Sequence, residues 1–63
     1  MYETNILHRK NCERTNTEIK LYQGYDGQFN VLITYKSGNR RIALSTPDLS
    51  AANKLYNKLI PLY

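Results

Sequence analysis

The clearest periodicity lies late in the chain. Leu49, Ala52, Leu55, Tyr56, Leu59 and Ile60 recur at helical spacing, while Ser50, Asn53, Lys54, Asn57 and Lys58 fill the opposite side. The residues just ahead, Ser45-Thr46-Pro47-Asp48, carry start signals. The Thr46 hydroxyl can cap a helix, and Pro47 suits the first helical position, where its missing N–H costs nothing. Asp48 then sets negative charge at the positive end of the helix dipole. Pro61 disfavours helical geometry at Ile60. The pattern predicts one amphipathic helix over residues 47–60, its apolar stripe laid on something flat.

A period of two supplies the flat partner. Ile19 and Leu21 alternate with Glu18, Lys20 and Tyr22. Phe29, Val31, Ile33 and Tyr35 alternate with Asn30, Leu32, Thr34 and Lys36, and Ile42 and Leu44 with Arg41, Ala43 and Ser45. Strands are therefore predicted over 17–23, 28–36 and 40–45. Matching faces chooses the register, because a one-residue slip turns every side chain over. A three-residue Tyr25-Asp26-Gly27 loop sets Leu21 against Val31 and Ile19 against Ile33. It also puts Gly27 at the left-handed position that closes such loops. A four-residue loop would carry Glu18 and Lys20 into the core. For the second hairpin, a two-residue Gly38-Asn39 loop sets Tyr35 against Ile42 and Ile33 against Leu44. A three-residue Ser37-Gly38-Asn39 loop would instead set Tyr35 against Arg41, so the two-residue loop is expected.

The expected fold class is α+β: a three-stranded antiparallel meander packed on one C-terminal helix. Residues 17–60 form its single domain and 61–63 a tail. Ile19, Leu21, Phe29, Val31, Ile33, Tyr35, Ile42 and Leu44 are expected to face the helix. Residues 1–16 carry a weaker pattern. Tyr2, Ile6 and Leu7 suit a short edge strand or a cover for one end of the core, and the polar run from Arg9 to Asn16 suits a loop.

At 63 residues, size scaling allows burial of only about 60% of the surface of the open chain. One small core fits, and a second domain or a deep internal active site does not. No apolar run approaches the ~20 residues of a membrane span. The start, Met1-Tyr2-Glu3-Thr4-Asn5, lacks a basic region followed by an apolar one, so no signal peptide is expected. The single cysteine, Cys12, cannot form an intrachain disulfide, which points to the cytoplasm.

Nine Lys and Arg against five Asp and Glu give a net charge of +4. Such a balance favours acidic partners: nucleic acid, an anionic membrane or an acidic protein patch. In the chosen register the sheet face away from the helix gathers Lys20, Tyr22, Asn30, Lys36 and Arg41, with Arg40 in the adjoining turn. Lys36 would stand directly opposite Arg41, a like-charge pair that an anion would relieve. Tyr22 can stack on a base, and Asn30 can both donate and accept. These six residues are the candidate nucleic-acid-binding set, although the same residue types are ordinary on a solvated strand face.

Other chemistry is sparse. His8, Cys12 and Glu13 supply at most three metal ligands, with no second Cys or His pair, so no metal and no cofactor is expected. No carboxylate pair or nucleophile with an orienting base stands out, and Gly24–Gly27 lacks the Gly-Lys-Ser/Thr ending of a phosphate loop. The chain reads as a non-enzymatic module, nucleic-acid-binding or regulatory. The rival expectation is a protein-docking module, such as an adaptor or inhibitor from a phage or mobile element. It would use some of the six tyrosines or the edge strand 17–23, and it would be a monomer or a homodimer.

In order of elements alone, residues 17–60 resemble the arm-site-binding domains of phage-type integrases and the plant ethylene-response DNA-binding domains. That resemblance implies a sheet entering the major groove. Double-stranded-RNA-binding domains also end in three strands and a helix. They carry a basic cluster at the last helix start, where this chain has Ser45-Thr46-Pro47-Asp48.

Overall fold

The computed structural model describes residues 5–63. Tyr2, assigned above to an edge strand, lies outside the described residues. The elements are β1 (Asn5–Cys12), β2 (Thr17–Gln23), β3 (Phe29–Thr34), β4 (Arg40–Thr46), α1 (Leu49–Leu59) and a short 3-10 turn (Ile60–Leu62). The strands make one antiparallel sheet in the order β1-β2-β3-β4. Helix α1 packs across one face of it, against β2, β3 and β4.

The core sits between that face and α1. Ile19, Leu21 and Val31 are fully buried and Ile33 nearly so, under Ala52 and Tyr56. Each such aliphatic side chain is worth about 1.5–3 kcal/mol when fully buried. Ala52 has no side chain beyond Cβ, so it lets the helix backbone come close to the sheet. The β2–β3 register is the expected one, with Leu21 opposite Val31 and Ile19 opposite Ile33. Its loop is Tyr25-Asp26-Gly27, closed by Gly24 N–H donating to the Gln28 carbonyl at 2.9 Å, with Gly27 at φ +82°.

The sheet has four strands, not three. Residues 9–12, expected in a loop, belong to β1, which pairs with β2 from Asn5↔Gln23 to Cys12↔Thr17. Strand 17–23 is therefore internal and cannot serve as a free edge. Ile6 and Leu7 do lie in an edge strand, one of the two expectations for them, and two features hid its full extent. It is an edge strand whose helix-side residues His8 and Lys10 are exposed, so only Cys12 is buried. In addition, Ile6 pairs with Tyr22 and His8 with Leu21, which leaves Leu7 as a bulge residue that breaks the period of two. Asn16 closes the β1–β2 loop at φ +53°, a conformation Asn tolerates better than most side chains.

The β3–β4 hairpin also differs from expectation. Its loop is Lys36-Ser37-Gly38, not Gly38-Asn39. Gly38 N–H donates to the Tyr35 carbonyl and Tyr35 N–H to the Asn39 carbonyl, both at 2.8 Å, with Gly38 at φ +96°. This is the β2–β3 turn repeated. Asp26 Oδ1 accepts from Gln28 N–H at 3.0 Å, and Ser37 Oγ accepts from Asn39 N–H at 3.5 Å. Taken alone, that turn would put Leu44 on the wrong face. A bulge at Ala43 corrects it: Val31 pairs with Leu44, then Leu32 with Ile42 and Ile33 with Arg41. Leu44 thus packs on the core, while Ile42, expected to face the helix, lies on the opposite face and is 53% exposed.

The helix starts two residues later than expected. Thr46 pairs with Phe29 as the last residue of β4 and lies outside the helix. Asp48 is the cap, its side chain accepting from Ser50 N–H at 3.0 Å, and Thr46 Oγ1 accepts from Asp48 N–H at 3.2 Å. Pro61 follows the helix end within the 3-10 turn. Arg14 ties this end to the β1–β2 loop, donating to the Tyr63 and Pro61 carbonyls at 3.1 and 3.2 Å.

Candidate functional site

The registers lay out the face away from α1 as three rows across the sheet. Ile6, Tyr22, Asn30 and Ser45 form the first row; Arg9, Lys20, Leu32 and Ile42 the second; Asn11, Glu18, Thr34 and Arg40 the third. Neighbouring strands lie ~4.8 Å apart, so each row spans about 14 Å. Three of the twelve side chains are cations and one, Glu18, is a carboxylate. Glu18 sits 3.6 Å from the Arg9 guanidinium. An exposed ion pair of this kind is worth at most about 1 kcal/mol, and three cations less one carboxylate leave these rows with a net charge of +2.

Four of the six sequence-predicted site residues meet here: Lys20, Tyr22, Asn30 and Arg40. Two do not. Lys36 is the first residue of the β3–β4 loop, and Arg41 pairs with Ile33, which places it on the helix side. There its charge acts on Tyr63, whose hydroxyl is shifted above its usual range. A hydrogen bond with Tyr35 is the main cause, burial and the Tyr35 charge add to it, and Arg41 works the other way. The facing Lys36–Arg41 pair therefore does not exist. The shifted turn alone removes it, because the Ala43 bulge lies beyond Arg41 and Ile42. Directly opposed cations do occur on the outer face, but they are Arg9 and Lys20.

An open recess runs along this face. Tyr22, Asn30, Leu32, Arg40 and Ile42 line it, and Gly24, Tyr25 and Asp26 of the β2–β3 turn wall one end. Leu32 is its floor, only 5% exposed although no described element covers that side of the sheet. Its neighbours across the strands shield it, with Ile42 the apolar one of the pair. Asn30 is 8% exposed. Its carboxamide nitrogen donates to the Gln28 carbonyl at 3.3 Å, which fixes the carboxamide at the wall of the recess. The same carbonyl accepts from Gly24 N–H. A Cβ on Gly24 would meet Asn30 Nδ2 and Asp26 Oδ1 at 3.2 Å, so the absence of a side chain there keeps that end uncrowded.

Sequence reasoning missed Leu32 as a floor and Ile42 as a wall, and it left Arg9 and Tyr25 out of the site. The signal for Ile42 was present in the second turn, where Ser37-Gly38 repeats Asp26-Gly27 at the same offset from an alternating strand.

The remaining chemistry does not assemble. His8 stacks on Tyr56 with ring centroids 5.5 Å apart, and Cys12 is buried. Four residues of extended strand, ~13 Å, separate the two. Among the described residues no three or more His, Cys, Asp or Glu side chains come together to hold a metal, and no helix is long and apolar enough to cross a membrane. No family model, curated protein or solved structure matches the chain.

Proposed function

We propose that this protein is a non-enzymatic nucleic-acid-binding module and that the outer face of its sheet is the contact surface. One observation carries the reading. Among the described residues, the face opposite the helix combines an apolar floor with aromatic groups and three cations, against Glu18, which is paired with Arg9, and Asp26 at the turn end of the recess. Leu32 and Ile42 pair across β3 and β4, and the half-exposed Ile42 leaves apolar surface there that a base would cover. Arg9, Lys20 and Arg40 would neutralise phosphates, and Tyr22 and Tyr25 offer ring faces. A net charge of +4 adds long-range attraction of the same sign.

Fluorescence anisotropy with labelled single- and double-stranded oligonucleotides at two salt concentrations tests this. Binding is expected to weaken with salt. The log–log slope should shrink by about 0.7 to 0.9 for each phosphate-neutralising cation removed, so Lys20→Ala/Arg40→Ala should lower it by roughly 1.4 to 1.8. Absence of binding to either form at low salt would remove the reading. Binding to an acidic protein through the same residues would then favour a protein-docking module.

A further inference from the structure

Resting on the nucleic-acid reading, we propose that the recess is a pocket for one unpaired base, so that the module takes single strands in preference to duplex. The recess matches the chemistry of a flat amphipathic ring. Leu32 and Ile42 give an apolar floor and side, and Tyr22 and Tyr25 give rings near one end, where the Asp26 carboxylate keeps phosphates away and leaves them to the Arg40 end. Asn30 lines the same end with a carboxamide, the kind of group that hydrogen-bonds the edge of a base. Arg40 stands two rows away, opposite Thr34, ~13 Å along the strand from Asn30. That distance lets one base occupy the Tyr22–Asn30 end while a neighbouring phosphate meets the Arg40 guanidinium. A free phosphate would gain nothing from the apolar floor, and an aliphatic ligand would gain nothing from the Asn30 carboxamide or from Arg40. Bases stacked inside a duplex cannot enter, because the recess needs a ring face and a hydrogen-bonding edge together.

The experiment uses the full chain and three labelled probes: a short mixed-sequence DNA strand, the same strand annealed to its complement, and the same backbone with abasic sites throughout. The plain strand is expected to bind roughly 5- to 150-fold tighter than the abasic one, the range associated with one stacked base. It should also bind tighter than the duplex. Tyr25 is 79% exposed, so Tyr25→Ala leaves folding intact. That variant should lower affinity for the plain strand by a similar factor and leave the abasic probe unaffected. Ile42→Ala serves as a second variant with the same expectation. Equal affinity for all three probes would overturn the pocket while leaving phosphate binding by the face in place. Displacement of the strand by a mononucleotide at comparable concentration would overturn its assignment to strands. Binding to none of the three would remove the nucleic-acid reading itself.

Discussion

Paired truncations of two isoleucines test the β4 register on which the outer face depends. Ile33→Ala and Ile42→Ala each delete three carbon atoms. At ~0.8 kcal/mol per buried methylene, complete loss of burial amounts to about 2.4 kcal/mol. Ile33 is 2% exposed within the core cluster, so the cavity left behind adds to this, and about 2–5 kcal/mol is expected. Ile42 is 53% exposed beside an open recess. Less than half of its transfer energy is at stake and no closed cavity forms, so about 1 kcal/mol is expected. A domain of this size holds roughly 3–9 kcal/mol in all, so Ile33→Ala removes much of it, and Ile33→Val at about 0.5–1.5 kcal/mol provides a milder partner. Urea unfolding followed by far-ultraviolet circular dichroism reads the changes as midpoint shifts at constant slope. If Ile42→Ala costs as much as Ile33→Ala, the side chain faces the helix. The Lys36-Ser37-Gly38 loop and the Ala43 bulge would then be wrong.

Three further outcomes follow from named groups. Gly38 sits at φ +96° with nothing within 4 Å of an added Cβ, so Gly38→Ala should cost about 1–2 kcal/mol through the backbone alone, and Gly38→Asn less, as read from thermal melts. Asp48→Ala should cost about 1 kcal/mol by removing the cap on Ser50 N–H, measurable by urea unfolding. Burial, with Cys12 beside it, raises the Tyr56 hydroxyl above its ordinary 10.0. The unfolded chain then gives up that proton first. The contribution of Tyr56 is therefore full below pH 10 and lost as pH rises toward the folded value, so urea midpoints should fall above pH 10, less steeply in Tyr56→Phe.

The helix, the β2–β3 hairpin and the buried Ile19, Leu21, Val31 and Ile33 were legible because each rests on a repeating apolar pattern with one consistent register. Gly27 was legible for the same reason. The parts that were not legible share a cause: each adds a residue that breaks the period. Leu7 and Ala43 are bulges, and a face-matching argument has no place for an unpaired residue. At the second turn, face matching preferred a two-residue loop because it lined up Tyr35 with Ile42. The chain instead follows local turn chemistry, with Gly38 in the left-handed position and Ser37 bonding forward to Asn39, and it recovers Leu44 through the bulge. The consequence reaches the site, since that choice moves Arg41 to the helix side and Ile42 to the outer face. Lys20, Tyr22 and Asn30 were placed correctly because they depend only on the first hairpin.

The isoleucine methyl groups can report directly whether nucleic acid occupies the outer face. In a titration of isoleucine-methyl-labelled protein with a single-stranded oligonucleotide, followed by two-dimensional NMR, the Ile42 signal should move, with Ile6 following. Those of Ile19 and Ile33, buried beneath the helix, should hold still. Movement at Ile19 or Ile33 with Ile42 unchanged at saturation would contradict the account.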